Sequence, residues 1–292
     1  YHLPLHRQHR RMGDTGITVS RSSVTNWTGQ AIDLLKPIRD AQSAHVLKSR
    51  VLAMDETPVK AGRVEPGKMR QAYFWPVYGE ADEIVFHYAP TREHRHVDAF
   101  LGNFKGTLLS DGYEAYASYA KRHGAVHAQC WAHCRRGFEQ AKESAPIAQE
   151  FFAWCRKQCE RVDLLPKSPL AKALRYALDR EDGLSVFLCD PRVALDTNHL
   201  ERGLRPVPMG RRNWLFAWTE LGAERVGVIQ SLLATCRLHG VDPYTYLVDV
   251  LQRVGEHPAS RAVELTPRVW KTLFADNPLR SDLDSARDPP TH

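Results

Sequence analysis

Short runs of apolar, aromatic and β-branched residues between positions 51 and 130 constrain the fold of this chain more than any other feature. Five of them predict β-strands: Val51–Asp55, Ala72–Tyr78, Glu83–Tyr88, Gly106–Ser110 and Ala125–Cys130. Gly79–Asp82 supplies a hairpin loop between the second and third runs. Helical patterns follow the third and fourth runs, at His96–Leu101 and Glu114–Arg122. We therefore expect three antiparallel strands followed by alternating α and β units.

This order of elements, β-β-β-α-β-α-β, predicts an α/β fold with a ribonuclease H-like mixed sheet flanked by helices. Helical patterns at 134–195 predict a helical insertion that precedes the last part of the domain. Further helices are predicted at 196–205, 223–238 and 243–254. The expected organisation is a basic helical region at 1–48, a main domain at 49–255 and a C-terminal tail at 256–292, in which residues 277–292 are expected to be loosely attached.

The N-terminal region is basic and predicts a long helix. Residues 1–50 carry eight lysines and arginines against three aspartates, close to the whole formal net charge of +6. Either Ser20 or Ser22/Ser23 is expected to cap the start of a helix, and Pro37 is expected to end or kink it. Gly16–Val19 followed by this helix resembles the turn and second helix of a helix-turn-helix. Two interpretations stay open: a DNA-binding helix pair, or a helix that packs against the next domain.

The composition is that of a globular protein, with 43% hydrophobic and 25% charged residues. No apolar run approaches the roughly 20 residues of a membrane-spanning helix. The sequence opens with Tyr1–Pro4, without an initiator methionine or signal peptide, so we expect a fragment with modules upstream. Six cysteines without a secretory signal favour a reducing compartment, and hence a cytoplasmic protein. The pI of about 9.0 suits a polyanionic partner.

Four cysteines and two histidines leave a zinc site open. They are Cys130, Cys134, Cys155, Cys159, His127 and His133. The two cysteine pairs each have three intervening residues, whereas zinc-binding pairs more often have two or four. Cys155 and Cys159 fall in a predicted helix, Phe151–Val162, where cysteines at this spacing commonly fill an apolar core. Both interpretations, a zinc site and core packing, remain.

Two aspartates stand at the ends of predicted strands. Asp55 ends the first apolar run, and Asp111 follows the fourth, just before Gly112. A carboxylate that ends an apolar strand either caps the following turn or binds a cation. Glu56 adjoins Asp55, and because the strand is apolar on both faces, alternation does not decide which of the two faces a site.

Glu201 is the third candidate acid and lies on a predicted helix. Glu220 and Glu224 are nearby alternatives, but basic and aromatic residues surround Glu201: Arg202, Arg205, Arg211, Arg212, Trp214 and Phe216. Guanidinium groups bind phosphates and aromatic rings stack on unpaired bases, as a channel for a DNA strand requires. Asp55, Asp111 and Glu201 together could hold two divalent ions for phosphodiester chemistry. The alternative is an amphipathic helix with a solvated basic face.

Seven stretches of this sequence resemble transposases of the insertion sequence 66 family. They are Met54–Val59, Leu109–Tyr116, Cys130–Arg136, Asn198–Pro206, Gly210–Phe216, Ser231–Cys236 and Asp242–Leu247. The resemblance runs from about Leu3 to Leu251 and is specific when the stretches are taken jointly. It implies a ribonuclease H-like fold and assigns the catalytic and metal-binding acids to Asp55, Asp111 and Glu201.

The resemblance also implies an activity and partners. The expected activity is DNA strand cleavage and transfer with Mg²⁺ or Mn²⁺, by a homo-oligomer that joins transposon ends to target DNA in the bacterial nucleoid. Companion proteins of the same element are expected as well. Family members resemble this chain but carry a further N-terminal region with helical, DNA-binding and zinc-binding parts, so recognition of transposon ends is expected to need more than this chain.

The stretch after the last predicted strand is expected to lie close to the substrate. Arg135 and Arg136 join Arg202, Arg205, Arg211, Arg212 and Trp214 as expected DNA contacts. His133 either contacts a phosphate or a metal-bound water, or is a core histidine. Two other functions stay open beside transposition: a nuclease of ribonuclease H-like fold that hydrolyses without joining, and a catalytically silent DNA-binding remnant of a transposase.

Overall fold

A computed structural model describes residues 4–135 and 148–281, and these residues form two compact units. The first unit comprises the described residues within Tyr1–Ser49, Glu56–Arg92 and Gly203–His292. The second comprises those within Arg50–Asp55 and Glu93–Arg202. No helix in the described ranges is both long and apolar enough to cross a membrane.

The strands of the described chain are β1 (Val51–Met54), β2 (Thr57–Glu65), β3 (Lys68–Gly79), β4 (Glu83–Ala89), β5 (Thr107–Ser110) and β6 (Val126–Gln129). Its first helices are α1 (Leu5–Asp14), α2 (Arg21–Val46), α3 (His94–Leu101), α4 (Glu114–His123), α5 (Ala148–Cys159), α6 (Pro169–Leu178) and α7 (Glu181–Cys189). Then come α8 (Asn198–Leu204), α9 (Pro206–Trp214), α10 (Glu220–Leu238), α11 (Pro243–Arg253), a 3₁₀ helix (Ala259–Leu265) and α12 (Pro267–Leu273).

The first unit is built on an antiparallel ladder, in which β2 pairs with β3 and β3 pairs with β4. Strand β2 was not predicted from the sequence. Its buried side chains alternate with exposed ones, as in a half-buried strand, but Pro58, Gly62 and three charged residues obscure the pattern. Helices α2 and α10 pack against β4 of this ladder and against each other, and the core between the helices includes Leu35, Ile38 and Leu232.

Pro37 was expected to end or kink helix α2, and it does not end it, because the helix continues to Val46. Its start is as predicted, since the Ser20 side chain accepts a hydrogen bond from the Ser23 nitrogen at 3.0 Å. Proline removes one backbone hydrogen bond from a helix interior. Leu35 and Ile38, on either side of Pro37, are fully buried in the core of the unit, and this burial offsets the loss.

The segment predicted as the beginning of a C-terminal tail contributes to the same core. Leu265 and Trp270 are buried with Tyr246. The Tyr246 hydroxyl donates to the Leu265 carbonyl at 2.7 Å, and the Trp270 indole donates to Asp249 at 2.8 Å. Residues 256–281 therefore pack on the unit, while 282–292 lie outside the described residues.

The second unit contains a parallel ladder of β1, β5 and β6, with α3 and α4 as predicted between the strands. Helices α5, α6 and α7 enclose an apolar cluster of their own, which includes Cys134, Phe151 and Leu174. They fall in the segment predicted as an insertion, of which residues 136–147 lie outside the described part. With antiparallel strands in one unit and parallel strands in the other, the protein is a mixed α/β protein, compatible with the predicted class.

Candidate metal centre

Asp55 and Asp111 follow two strands that are direct neighbours. Strand β1 pairs with β5 in parallel, with Ala53 opposite Leu109, and every residue of both strands is buried. Parallel neighbours have their carboxyl ends at the same edge, where side chains that follow the strands can meet. The apolar runs that form β1 and β5 therefore bring the two aspartates to one place.

One carboxylate oxygen from each of Asp55, Glu56 and Asp111 lies within 4.8 Å of the other two, and all three residues are half-buried. Strand β1 ends at Met54, so the alternation that would separate Glu56 from Asp55 no longer applies there. Arg92 donates to Glu56 Oε1. Hard oxygen donors of this kind fit Mg²⁺ or Mn²⁺, and a cation would offset the repulsion between carboxylates held so close.

Asp111 is held in a turn at the end of β5. Its Oδ1 accepts a hydrogen bond from the Tyr113 nitrogen at 2.8 Å. On the preceding residue, the Ser110 hydroxyl lies 2.8 Å from Nε2 of His127 on β6. Burial lowers the pKa of His127 to about 4, with nearby Arg180 acting in the same direction and Asp111 against it. The imidazole beside Ser110 is therefore neutral at pH 7.

Glu201 lies on α8 in the second unit and is half-buried, with its backbone nitrogen donating to the Thr197 carbonyl at 2.8 Å. It is not among the described carboxylates that lie within 4.8 Å of Asp55 and Asp111. The structure therefore brings two of the three predicted acids together, with Glu56 as the third member of the cluster. Glu56 could be found from the sequence only as the neighbour of Asp55.

The start of α8 is fixed to the residues that follow β6. Cys130 Sγ accepts hydrogen bonds from Thr197, and the Trp131 nitrogen donates to the Leu195 carbonyl at 2.9 Å. The Trp131 indole donates to the Leu184 carbonyl at 2.7 Å. The stretch that resembles a family signature thus connects the second unit's parallel ladder to the segment that precedes Glu201.

The predicted DNA-binding residues differ in exposure. Four arginines are exposed to solvent, as a phosphate contact requires: Arg135, Arg202, Arg205 and Arg212. Arg211 is half-buried and donates to the Pro58 carbonyl, so its guanidinium is partly engaged within the first unit. Trp214 is also half-buried. Arg136 lies outside the described residues.

An exposed aromatic group near Trp214 was missed from the sequence. Trp218 is 65% exposed and meets Phe216 edge to face, with ring centroids 5.2 Å apart. Leu215, beside them, has a positive φ of 61° and an exposed side chain. Exposed aromatic rings next to arginines are suited to stacking on bases. The sequence shows that Trp214, Phe216 and Trp218 lie close together along the chain. It does not show which ring is exposed, because a loop has no regular alternation of buried and exposed residues.

The cysteines divide between core packing and a polar setting. Cys134 and Cys155 lie in the apolar cluster of the second unit, and burial raises the pKa of each thiol to about 12. Cys130 differs. Burial alone would raise its pKa, but hydrogen bonds from His133 and Thr197 lower it below the ordinary value. Cys155 therefore agrees with core packing, whereas Cys159, for which core packing was also predicted, is exposed. Among the described residues, these cysteines and histidines form no group close enough to hold a metal ion.

Comparison with known proteins gives two family matches and several relatives. The profile described as Transposase IS66 family matches residues 1–146 and 139–225, and that of the IS66 C-terminal element matches 231–268. Uncharacterized protein y4hP of Sinorhizobium fredii is 30% identical over 94% of this chain and 60% of its own length. Uncharacterized protein y4qI of the same organism is 30% identical over 92% and 60%. The chain thus spans about 60% of the length of these relatives.

Proposed function

The chain belongs to the IS66 family of transposases, and from this premise we propose that it cleaves and joins DNA strands by metal-dependent phosphodiester chemistry. The observation that carries the proposal is the approach of Asp55 and Asp111 at the ends of two adjacent parallel strands. Rigid, buried strands fix both carboxylates, as a site that must hold ions in a defined geometry requires. A ribonuclease H-like arrangement of the strands is part of the proposal.

Asp55 and Asp111 would hold the ions, which are Mg²⁺ or Mn²⁺. When bound, two such ions activate a water or a 3′-hydroxyl and neutralise the leaving oxygen. The protein's own contribution is to fix the carboxylates. The Tyr113 nitrogen holds one oxygen of Asp111 at 2.8 Å, and neutral His127 bonds Ser110 next to it. These contacts orient the site before DNA arrives.

The third carboxylate of the site has two candidates. Glu201 is proposed to complete it, because its motif matches the family and its helix is fixed at its start by Cys130 and Trp131. Glu56 is the alternative, because its carboxylate lies in the cluster with Asp55 and Asp111. Glu56 also bonds Arg92, which reduces its capacity for a cation.

Basic residues are proposed to hold the DNA backbone. Arg135, Arg136, Arg202, Arg205, Arg211 and Arg212 would contact phosphates, and Trp214 would contact a base. The exposed Trp218 is a better stacking platform than the half-buried Trp214 and joins the proposed set. The proposed substrates are transposon ends and target DNA in the bacterial nucleoid. A homo-oligomer and companion proteins of the same element are proposed partners.

The test is a joining assay with DNA ends that are already cut and a supercoiled target plasmid, in Mg²⁺ or Mn²⁺. We expect joined products from the wild type and none from Asp111→Asn. Asp182→Asn, an exposed acid of the second unit, is the matched control and retains activity. Nicked plasmid without joined products would identify a nuclease. Near-normal joining by a folded Asp111→Asn variant would refute the assignment, and inactivity of the wild type with retained DNA binding would identify a silent remnant.

A further inference from the structure

Arg180 stands beside the turn that carries Asp111. It lies between α6 and α7 and is half-buried. Its Nη2 donates to the Gly112 carbonyl at 3.1 Å, and its Nη1 donates to the Tyr176 carbonyl at 3.4 Å. The guanidinium carbon lies 4.0 Å from the centre of the Tyr176 ring. These contacts fix the guanidinium on the backbone next to the aspartate.

In the described part of the chain, no carboxylate pairs with the positive charge of Arg180. Within the described residues, its hydrogen bonds go only to backbone carbonyls, and its buried Nε atom has no acceptor. Other arginines of the second unit are paired, such as Arg192 with Asp190 at 2.7 Å and Arg122 with Asp98 at 2.7 Å. A half-buried cation without an anion is costly. The cost is recovered if an anion binds there.

Gly112 makes this position possible. A Cβ atom on residue 112 would lie 2.5 Å from Arg180 Nε and 2.7 Å from Nη2, closer than non-bonded atoms tolerate. A side chain at position 112 would therefore displace the guanidinium from this position. Glycine at this point leaves room for the arginine beside the turn.

We propose that Arg180 binds a phosphodiester oxygen of the DNA strand that Asp55 and Asp111 process. The inference rests on the proposed function and deepens it, since it names a substrate-binding residue from the helices between Asp111 and Glu201. A guanidinium has five N–H donors in a planar fork, which matches the oxygens of a phosphate. Two of the five are engaged with Gly112 and Tyr176, and each Nη atom keeps a further donor for an anion.

The test measures how the affinity for a fluorescein-labelled DNA duplex depends on salt, with the full chain in Ca²⁺, a cation that takes the same oxygen ligands. Each lost phosphate contact reduces the slope of log K against log salt concentration by about one. We expect Arg180→Met to lower the affinity about tenfold and to reduce the slope by about one. Arg192→Met, in which the removed charge was already paired with Asp190, is the control and leaves the slope unchanged.

Arg180→Lys separates phosphate binding from a structural role, because it keeps the charge but loses the fork over Tyr176. We expect it to keep most of the salt slope, while thermal melting reports the folding of each variant. An unchanged affinity and slope in Arg180→Met would overturn the inference. So would an equal loss in Arg180→Lys together with a lowered melting temperature. Absence of DNA binding by the wild type would instead refute the proposed function itself.

Discussion

Cys130 Sγ accepts hydrogen bonds from both donors of Thr197, from its backbone nitrogen at 3.3 Å and from its hydroxyl at 3.4 Å. Both residues are buried. The contact joins the residue after β6 to the residue before α8, the helix of Glu201. The Cys130 thiol therefore helps to position the start of α8, the helix that carries the proposed catalytic acid Glu201.

Removing this acceptor is expected to cost stability. Cys130→Ala leaves two buried donors of Thr197 without a partner, which lowers the free energy of unfolding by about 1–3 kcal/mol. Thr197→Ser is the control, because serine keeps both donors and the loss is expected to be smaller. Urea denaturation followed by circular dichroism measures the difference. Equal stability of Cys130→Ala and the wild type would contradict a structural role of the contact.

Replacement of a buried carboxylate in the first unit is also expected to lower the stability. Glu83 is 1% exposed, bonds Nδ1 of His45, and lies 3.4 Å from Nε of Arg268. Glu83→Gln removes the charge and leaves Arg268 without its partner, which is expected to lower the free energy of unfolding by about 3 kcal/mol. Glu65→Gln, at an exposed pair with Lys68, is the control, with a change below about 1 kcal/mol. Similar values for the two variants in chemical denaturation would oppose this account.

Gly227 in α10 allows that helix to approach β4. A Cβ atom there would lie 2.8 Å from the Phe86 carbonyl oxygen. Alanine normally stabilises a helix interior by about 1 kcal/mol relative to glycine, but at Gly227 we expect destabilisation. Gly13→Ala in α1 meets no atom within 4 Å and is expected to stabilise or leave the protein unchanged. The sign of the two melting-temperature shifts is the measurement, and two shifts of the same sign would be inconsistent with the close approach.

The half-buried His87 is expected to make the protein sensitive to acid. Burial, and then the charge of Arg39, lower its pKa from 6.5 to about 3. Between these values the unfolded chain binds a proton that the folded chain does not, so stability falls as the pH decreases from 6.5 to about 3. At the steepest, this contributes about 1.4 kcal/mol per pH unit. His87→Gln removes this titrating group, so the free energy of unfolding of the variant is expected to depend less on pH than that of the wild type. If the two proteins show parallel curves of unfolding free energy against pH, the pKa of His87 is not lowered.

How far the sequence predicts this structure depends on the range of the interactions. The strands β1, β5 and β6 and the helix α4 were predicted to within a few residues, because apolar runs flanked by turn residues are local signals. Strand β2 and helix α9 were missed. Thr57–Glu65 contains Pro58 and Gly62, and Pro206–Trp214 contains two prolines and Gly210, and both compositions suggest loops.

In the candidate site, too, the features that depend on local signals were predictable and the long-range contacts were not. The approach of Asp55 to Asp111 follows from two adjacent parallel strands and was predictable. The contact of Arg180 with Gly112 spans 68 positions, and that of Cys130 with Thr197 spans 67. No periodicity connects residues so far apart, so these contacts could be seen only in the fold. Glu56 entered the cluster because β1 ends one residue before Asp55, a boundary that the sequence did not define.

Titration with Mn²⁺ by isothermal calorimetry tests the central claim most directly, because it asks whether the carboxylates at the ends of β1 and β5 hold a metal. The wild type is expected to bind Mn²⁺, Asp111→Asn to lose this binding, and Asp182→Asn to keep it. Glu56→Gln and Glu201→Gln then decide which glutamate completes the site. If Asp111→Asn, correctly folded, binds Mn²⁺ with the affinity and stoichiometry of the wild type, the proposed metal centre is wrong.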